Sequence, residues 1–264
     1  MFWYDGNLID KDSLELKINE PGLLYGATVF TTMRVYGQSL HHPLTHWQAH
    51  CDRLKRSINT FGWQQPDWQR LKQGAESLLT TFPVLRMVVF PDGREWITGR
   101  DLPSDLTQRQ QKGIIAWVAC DRLYCRDLAE HKTGNYLGSY LALQKARQLG
   151  AQEGILVDSQ GNWLETTTGN LWGWWDGCWY TPTLEGGILP GIARSQLLTW
   201  LQSQNIPVRE NLWTPEFVRN LQAIAYSNCV VEIVPIHTIK QESRSNDSWT
   251  NNNIQKQLQK YFID

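Results

Sequence analysis

The chain has little that would send it to a membrane, a nucleic acid or a metal. No apolar run approaches membrane-spanning length. The opening stretch "MFWYDGNLID" lacks the basic region and apolar core of a secretion signal. Positive charge is not in surplus: 25 Lys and Arg face 26 Asp and Glu, so a polyanion such as DNA is not an expected partner. The five cysteines (Cys51, Cys120, Cys125, Cys178, Cys229) are scattered and odd in number. They show no paired zinc-ligand spacing, so no metal is expected, and free thiols in a reducing compartment are the simplest reading. These absences suit a soluble, cytoplasmic protein.

What remains is globular. A hydrophobic fraction of 41% with 19% charged residues supports a real core in one large or two ordinary domains. The fourteen tryptophans cluster in places such as "NLWGWWDGCWY". With no basic stripe beside them, they read as strand and core residues, not as a stacking surface for bases or sugars.

Local patterns predict the elements. "FWYDGNLI" is a hairpin turning at Asp5-Gly6-Asn7, and "TVFTTMRVY" is a strand ending at Gly37. Trp47, Cys51, Leu54, Ile58 and Phe61 recur at steps of four and three, which predicts a helix ended by Gly62. "VLRMVVF" and "GIIAWVAC" read as strands separated by a polar, turn-rich stretch containing "PDGREW". "DRLYCRDLAEH" has no clean period and suits an interdomain connection. A helix from about Asn135 to Gly150 follows. After it come "GILV", "WLET", "NLWGWW" and "CWYTP", expected as a run of antiparallel strands. "GILPGIAR" starts a helix, Thr214-Pro215 starts a short one, and "AIAYSNCVVEIVPI" is a buried strand region. Ile254, Leu258, Tyr261 and Phe262 close the chain at helical spacing. The whole predicts an α/β (α+β) fold in two domains, 1–120 and 121–264, with mixed sheets, flanking helices and a cleft between them.

Within "HKTGNYLGSYLALQKARQLG", Lys132 stands just ahead of the helix, where the chain changes conformation, while Lys145 lies inside it. Most lysines are ordinary surface charges. Here three further segments give Lys132 a context. Glu165 lies in "ETTTGNLW". "ILPGIAR" offers a glycine-led helix N-terminus at Gly191 to Ala193, suited to a phosphate. Ser227, Asn228 and Cys229 interrupt an apolar strand region. A lysine, a carboxylate and a phosphate cradle are the three things pyridoxal 5'-phosphate (PLP) requires.

In wording and order these segments resemble the class IV (fold type IV) PLP-dependent enzymes, which include branched-chain and D-amino-acid aminotransferases and aminodeoxychorismate lyase. "YGATVFTTMRVY" with the following "HCDRL" is similar to the family's Val-Phe strand and His-x-x-Arg-Leu helix, the resemblance placing Arg53 on the PLP phosphate. "HKTGNYL" resembles the Schiff-base lysine motif. "ETTTGNLW" resembles the motif whose glutamate faces the pyridine nitrogen, bringing Asn170 into the cofactor set. By the same resemblance Leu189 packs on the ring, the amides of Ile192 and Ala193 bind phosphate, and Asn228 and Cys229 contribute. A homodimer is implied as well. The aminotransferases usually carry glutamate where this chain has Thr31. Phe-Thr-Thr and "SNCVVEIVP" resemble the lyase, whose proton relay would then use Thr31 or Thr32. Strand alternation puts those two side chains on opposite faces. Arg94, Arg122 and Arg126 are candidates for substrate carboxylates. The expected activity is elimination of pyruvate from 4-amino-4-deoxychorismate to leave 4-aminobenzoate, within folate biosynthesis. The alternatives are a class IV aminotransferase and a non-catalytic PLP-fold binding protein.

Overall fold

The computed structural model describes residues 1–241, 247–248 and 252–263. The chain divides into two compact units: Met1–Ser104 with His131–Tyr136, and Asp105–Glu130 with Leu137–Asp264. The division comes earlier than residue 120, because the "GIIAWVAC" strand pairs with strands of the second half. The expected connection "DRLYCRDLAEH" ends where the chain passes from the second unit into the first.

The first unit is built on a five-stranded antiparallel sheet of order β2-β1-β5-β4-β3. Its strands are β1 (Phe2–Tyr4), β2 (Asn7–Ile9), β3 (Val29–Arg34), β4 (Val84–Val89) and β5 (Glu95–Arg100). Asp5 and Gly6 turn the β1–β2 hairpin with positive φ at both positions, the conformation that a two-residue hairpin needs. β5 is the strand hidden in the stretch expected as polar loop. Its alternation is real, but only Glu95 and Ile97 are fully buried, and one of those is charged. Three helices accompany the sheet: α1 (Pro21–Leu24), α2 (Trp47–Phe61) and α3 (Trp68–Leu78). Leu54 and Ile58 of α2 and Leu71, Ala75 and Leu78 of α3 pack with Val29, Met33, Leu85, Met87, Val89 and Ile97 from one sheet face. Each fully buried Leu or Ile contributes about 1.5–3 kcal/mol, which is why the periodicity of α2 was so clear in the sequence.

The second unit carries a nine-stranded mixed sheet. Its elements are α4 (Leu106–Lys112), β6 (Ile114–Ala119), α5 (Leu137–Gln148), β7 (Glu153–Val157), β8 (Trp163–Thr166), β9 (Asn170–Trp175), β10 (Cys178–Pro182), α6 (Ile192–Ser203), β11 (Val208–Asn211), α7 (Pro215–Arg219), β12 (Ala223–Asn228), β13 (Glu232–Lys240), β14 (Asp247–Ser248) and α8 (Asn252–Gln259). The path runs β11-β10-β9-β12-β13-β6-β7-β8, with β14 beside β13. The expected run of antiparallel strands is therefore split. β8 pairs with β7, and β9 lies between β10 and β12. Trp172 and Trp179 pack with Leu197 and Leu201 of α6 and Leu258 of α8, so these tryptophans are core. Thr214 caps α7 by accepting from the Phe217 N–H at 3.1 Å. Among the described residues no helix is long and apolar enough to cross a membrane.

Gly62 ends α2 with φ +65°, its N–H bonded to Asn59 O and Ile58 O. A Cβ there would meet nothing within 4 Å, so the glycine is needed only for its backbone conformation. Gly62→Ala should cost about 1 kcal/mol and leave the fold unchanged, as read from urea unfolding.

Candidate active site

Residues 131–136 lie along the edge strand β3. The Phe30 N–H donates to Lys132 O, and the Gly134 N–H donates to Thr28 O, each at 2.8 Å. Val29 and Thr133 form an antiparallel bridge. A side chain at Gly134 would collide with Thr28 and Gly26, which accounts for the helix-disfavouring residue beside the lysine. Lys132 Nζ lies 4.8 Å from the ring centres of both Phe30 and Tyr136 and 3.4 Å from the Tyr136 hydroxyl. Lys145 sits in the last turn of α5, where a cation suits the helix dipole.

The two threonines of β3 separate as alternation demands. Thr31 is fully buried on the face that packs on α2. Its hydroxyl lies 2.6 Å from His50 Nδ1 and accepts a hydrogen bond from Arg53. Burial holds the His50 imidazole well below its usual pKa, with Arg53 and His46 adding to the effect. A neutral His50 accepts the Thr31 proton while Thr31 accepts from Arg53, so every role in the triad is consistent. Thr32 points to the opposite face, the one that carries Phe30 and hence Lys132.

That face also holds cations that sequence reasoning missed. Register pairs Thr32 with Arg86, and Val84 with both Arg34 and Arg100, so Arg34, Arg86 and Arg100 project on the side of Thr32. The Arg86 guanidinium lies 3.7 Å from the centre of the Phe30 ring. Desolvation chiefly, and Arg100 in addition, lower its proton affinity. Local sequence offered no signal, because their grouping depends on strand pairing.

Of the three arginines expected to hold substrate carboxylates, Arg94 and Arg126 are engaged elsewhere. Arg94 is committed to Glu20 at 2.6 Å and Asp92 at 2.7 Å, with a further bond to the Tyr4 hydroxyl. Arg126 is buried in an ion pair with Glu165 and also donates to Ala129 O at 3.2 Å. Arg122 begins an exposed 3-10 turn, Arg122–Tyr124. Two carboxylate oxygens of Glu165 are thus supplied with donors, Oε1 by Arg126 and Oε2 by the Leu189 N–H at 3.3 Å. Asn170 Nδ2 donates to Leu189 O at 2.9 Å, so Leu189 is held on both sides of its peptide.

Gly191 is the N-cap of α6 and supplies no capping side chain. A Cβ there would collide with Asn170 Oδ1. Ile192 and Ala193, buried in the first turn, therefore offer their amides to an anion. Asn228 differs from expectation. Its Oδ1 accepts from the Val230 and Val231 amides at 2.8 and 2.9 Å, and its Nδ2 donates to Thr168 O at 3.2 Å. It organises the β12–β13 turn instead of presenting its amide to a phosphate, and Cys229 lies in that turn. A buried glutamate with donors on both oxygens and an uncapped twelve-residue helix fit a protonated pyridine and its phosphate.

Because Thr31 joins His50 to Arg53, Thr31→Val should destabilise the protein by about 1–3 kcal/mol, the cost of stranding buried polar groups. Thr32→Val should change stability by less than about 0.5 kcal/mol. Denaturant unfolding of the two variants checks this.

The family model described as amino-transferase class IV matches residues 28–239. A branched-chain-amino-acid aminotransferase of Salmonella typhimurium is 24% identical over 261 residues, covering 90% of this chain and 84% of that protein. A D-alanine aminotransferase of Staphylococcus aureus is 25% identical over 284 residues, covering 98% and 95%. The crystal structure of a putative 4-amino-4-deoxychorismate lyase superimposes with a TM-score of 0.73 at 28% identity, covering 87% of this chain and 92% of that one.

Proposed function

The chain belongs to the class IV amino-transferase family of PLP-dependent enzymes, and from that premise we propose that it is a 4-amino-4-deoxychorismate lyase. The observation that carries the reading is the Lys132 face of β3–β5. It combines Lys132, the Thr32 hydroxyl and three guanidiniums, a set suited to a substrate with two carboxylates and a proton to move. The Thr31-Thr32 pair where aminotransferases carry glutamate supports it, as does the likeness to a solved protein named for this reaction.

The cofactor supplies an aldehyde that bonds an amine and a ring that accepts an electron pair. Lys132 would hold the cofactor's aldehyde through its Nζ and would serve as the base that takes the proton from the substrate ring. Glu165, held by Arg126 and the Leu189 amide, keeps a positive charge on the pyridine nitrogen. Arg53 and the Ile192 and Ala193 amides hold the phosphate, with Cys229 at its margin, and Leu189 packs on the ring. Arg34, Arg86 and Arg100 bind the substrate carboxylates. The C–H electron pair completes the aromatic ring as the ring C–O bond breaks. Thr32 would then relay the proton taken up by Lys132 to the methylene carbon of the departing enolpyruvyl group, giving pyruvate and 4-aminobenzoate. Thr31 acts one step back, by fixing Arg53. The same reading carries a cytoplasmic homodimer that supplies 4-aminobenzoate for folate synthesis.

A second reading, an aminotransferase for branched-chain or D-amino acids, is favoured by the curated relatives. One comparison separates them. Incubated with 4-amino-4-deoxychorismate, the protein should release pyruvate and 4-aminobenzoate in equal amounts. With an amino acid and 2-oxoglutarate it should form little glutamate. Brisk glutamate formation without 4-aminobenzoate would replace the lyase reading with the second.

A further inference from the structure

A second buried carboxylate sits close in the fold to Glu165 and has no part in the chemistry above. Glu153 begins β7 and is only 2% exposed. Its Oε1 accepts from the Thr167 hydroxyl and from the Gly154 N–H at 3.1 Å, and its Oε2 accepts from the Thr168 hydroxyl at 2.5 Å. Both threonines belong to the short loop between β8 and β9, so the residues at its two ends are Glu165–Thr166 and Asn170. The rest of the loop is tightly specified. Thr167 N–H donates to Gly154 O at 2.9 Å. Gly169 N–H donates to Thr166 Oγ1 at 2.9 Å, and Asn228 Nδ2 donates to Thr168 O. A side chain at Gly169 would collide with Ser227 O.

We infer that Glu153 is a positioning residue for the candidate active site, its carboxyl group setting the loop that carries Glu165 and Asn170 through Thr167 and Thr168. The inference rests on the cofactor-side roles proposed for those two residues. As a carboxylate, Glu153 only accepts, and both threonine hydroxyls point their protons at it. Once protonated, one oxygen becomes a donor, and the threonine facing it must turn its own proton elsewhere. The loop therefore has two hydrogen-bonding arrangements, selected by one proton.

Burial, against the groups facing Glu153, places that proton near neutrality. Burial raises its pKa to about 7, opposed by the donors Thr168 and Gly154 and by the more distant charges of Arg147 on α5 and Arg109 on α4. Tyr226 of β12 faces it as well, its own hydroxyl pushed up by burial and by Glu153. The folded value lies above that of an unfolded glutamate, about 4.3. Its contribution to folding is thus fullest at low pH and is lost as pH rises toward 7, above which the buried charge opposes folding in full.

The test uses the protein freed of cofactor, wild type and Glu153→Gln, over about pH 5.5 to pH 8.5. Thermal unfolding midpoints should show a decline toward pH 7 in the wild type that is absent from Glu153→Gln. Thr168→Val, at an exposed position, removes a donor that favours the charged form and should move the decline to higher pH. PLP affinity, read from tryptophan fluorescence, should then show a ratio between Glu153→Gln and wild type that changes by about threefold or more across the same interval. Unfolding curves of the same shape in wild type and Glu153→Gln would overturn the inference, as would a PLP affinity ratio that stays flat. A wild type that binds no PLP at any pH overturns the reading of Glu165 and Asn170 themselves. That failure is recognisable because the unfolding curves report the Glu153 proton without the cofactor.

Discussion

Two backbone hydrogen bonds, Phe30 N–H to Lys132 O and Gly134 N–H to Thr28 O, determine where Lys132 can be. A lysine side chain has four rotatable bonds and, on a helix face, would sample solvent. Here its backbone is added to a sheet edge, and its amine is confined beside the rings of Phe30 and Tyr136. The sheet itself is fixed by the core beneath it, where Met33, Leu85, Met87 and Ile97 meet α2 and α3. Rigid placement of a reactive amine is what covalent chemistry needs, because a small displacement is costly in rate. The side of β3 on which that amine falls also decides which threonine and which arginines share its surroundings.

The second unit solves a different problem, the burial of negative charge. Glu165 keeps an arginine and a backbone amide as donors, and a buried carboxylate without such partners would give up its charge. Glu153 has hydroxyls and one amide instead, and its pKa rises accordingly. Glu165 on β8 and Glu153 at the start of β7 thereby differ in their donors, and it is Glu153 that can take a proton near neutral pH. Environment, not residue type, makes the difference.

Much of this was legible in the sequence. The α2 stripe, the Thr214 cap and the glycine-led start of α6 are local patterns, and local patterns survive in a linear reading. Lys132, Glu165 and the "GILPGIAR" helix stood out because their order resembles one family, and the family match over residues 28–239 bears out that resemblance. What the sequence concealed depends on pairing at a distance. Arg34, Arg86 and Arg100 come to one face only through the β3–β4–β5 register. Thr31 finds His50 and Arg53 across a strand–helix contact. Arg126, expected at a substrate, finds Glu165 instead, and Asn228, expected at a phosphate, closes a turn. A polar side chain advertises its need for a partner, but only the fold says which partner it gets.

The lysine that bonds the cofactor, proposed to be Lys132, can be identified directly. The PLP-loaded protein is reduced with borohydride, digested, and its modified peptide identified by mass spectrometry. The phosphopyridoxyl group is expected on Lys132, within the peptide containing "HKTGNYL". A label on Lys145 or any other lysine would contradict that assignment.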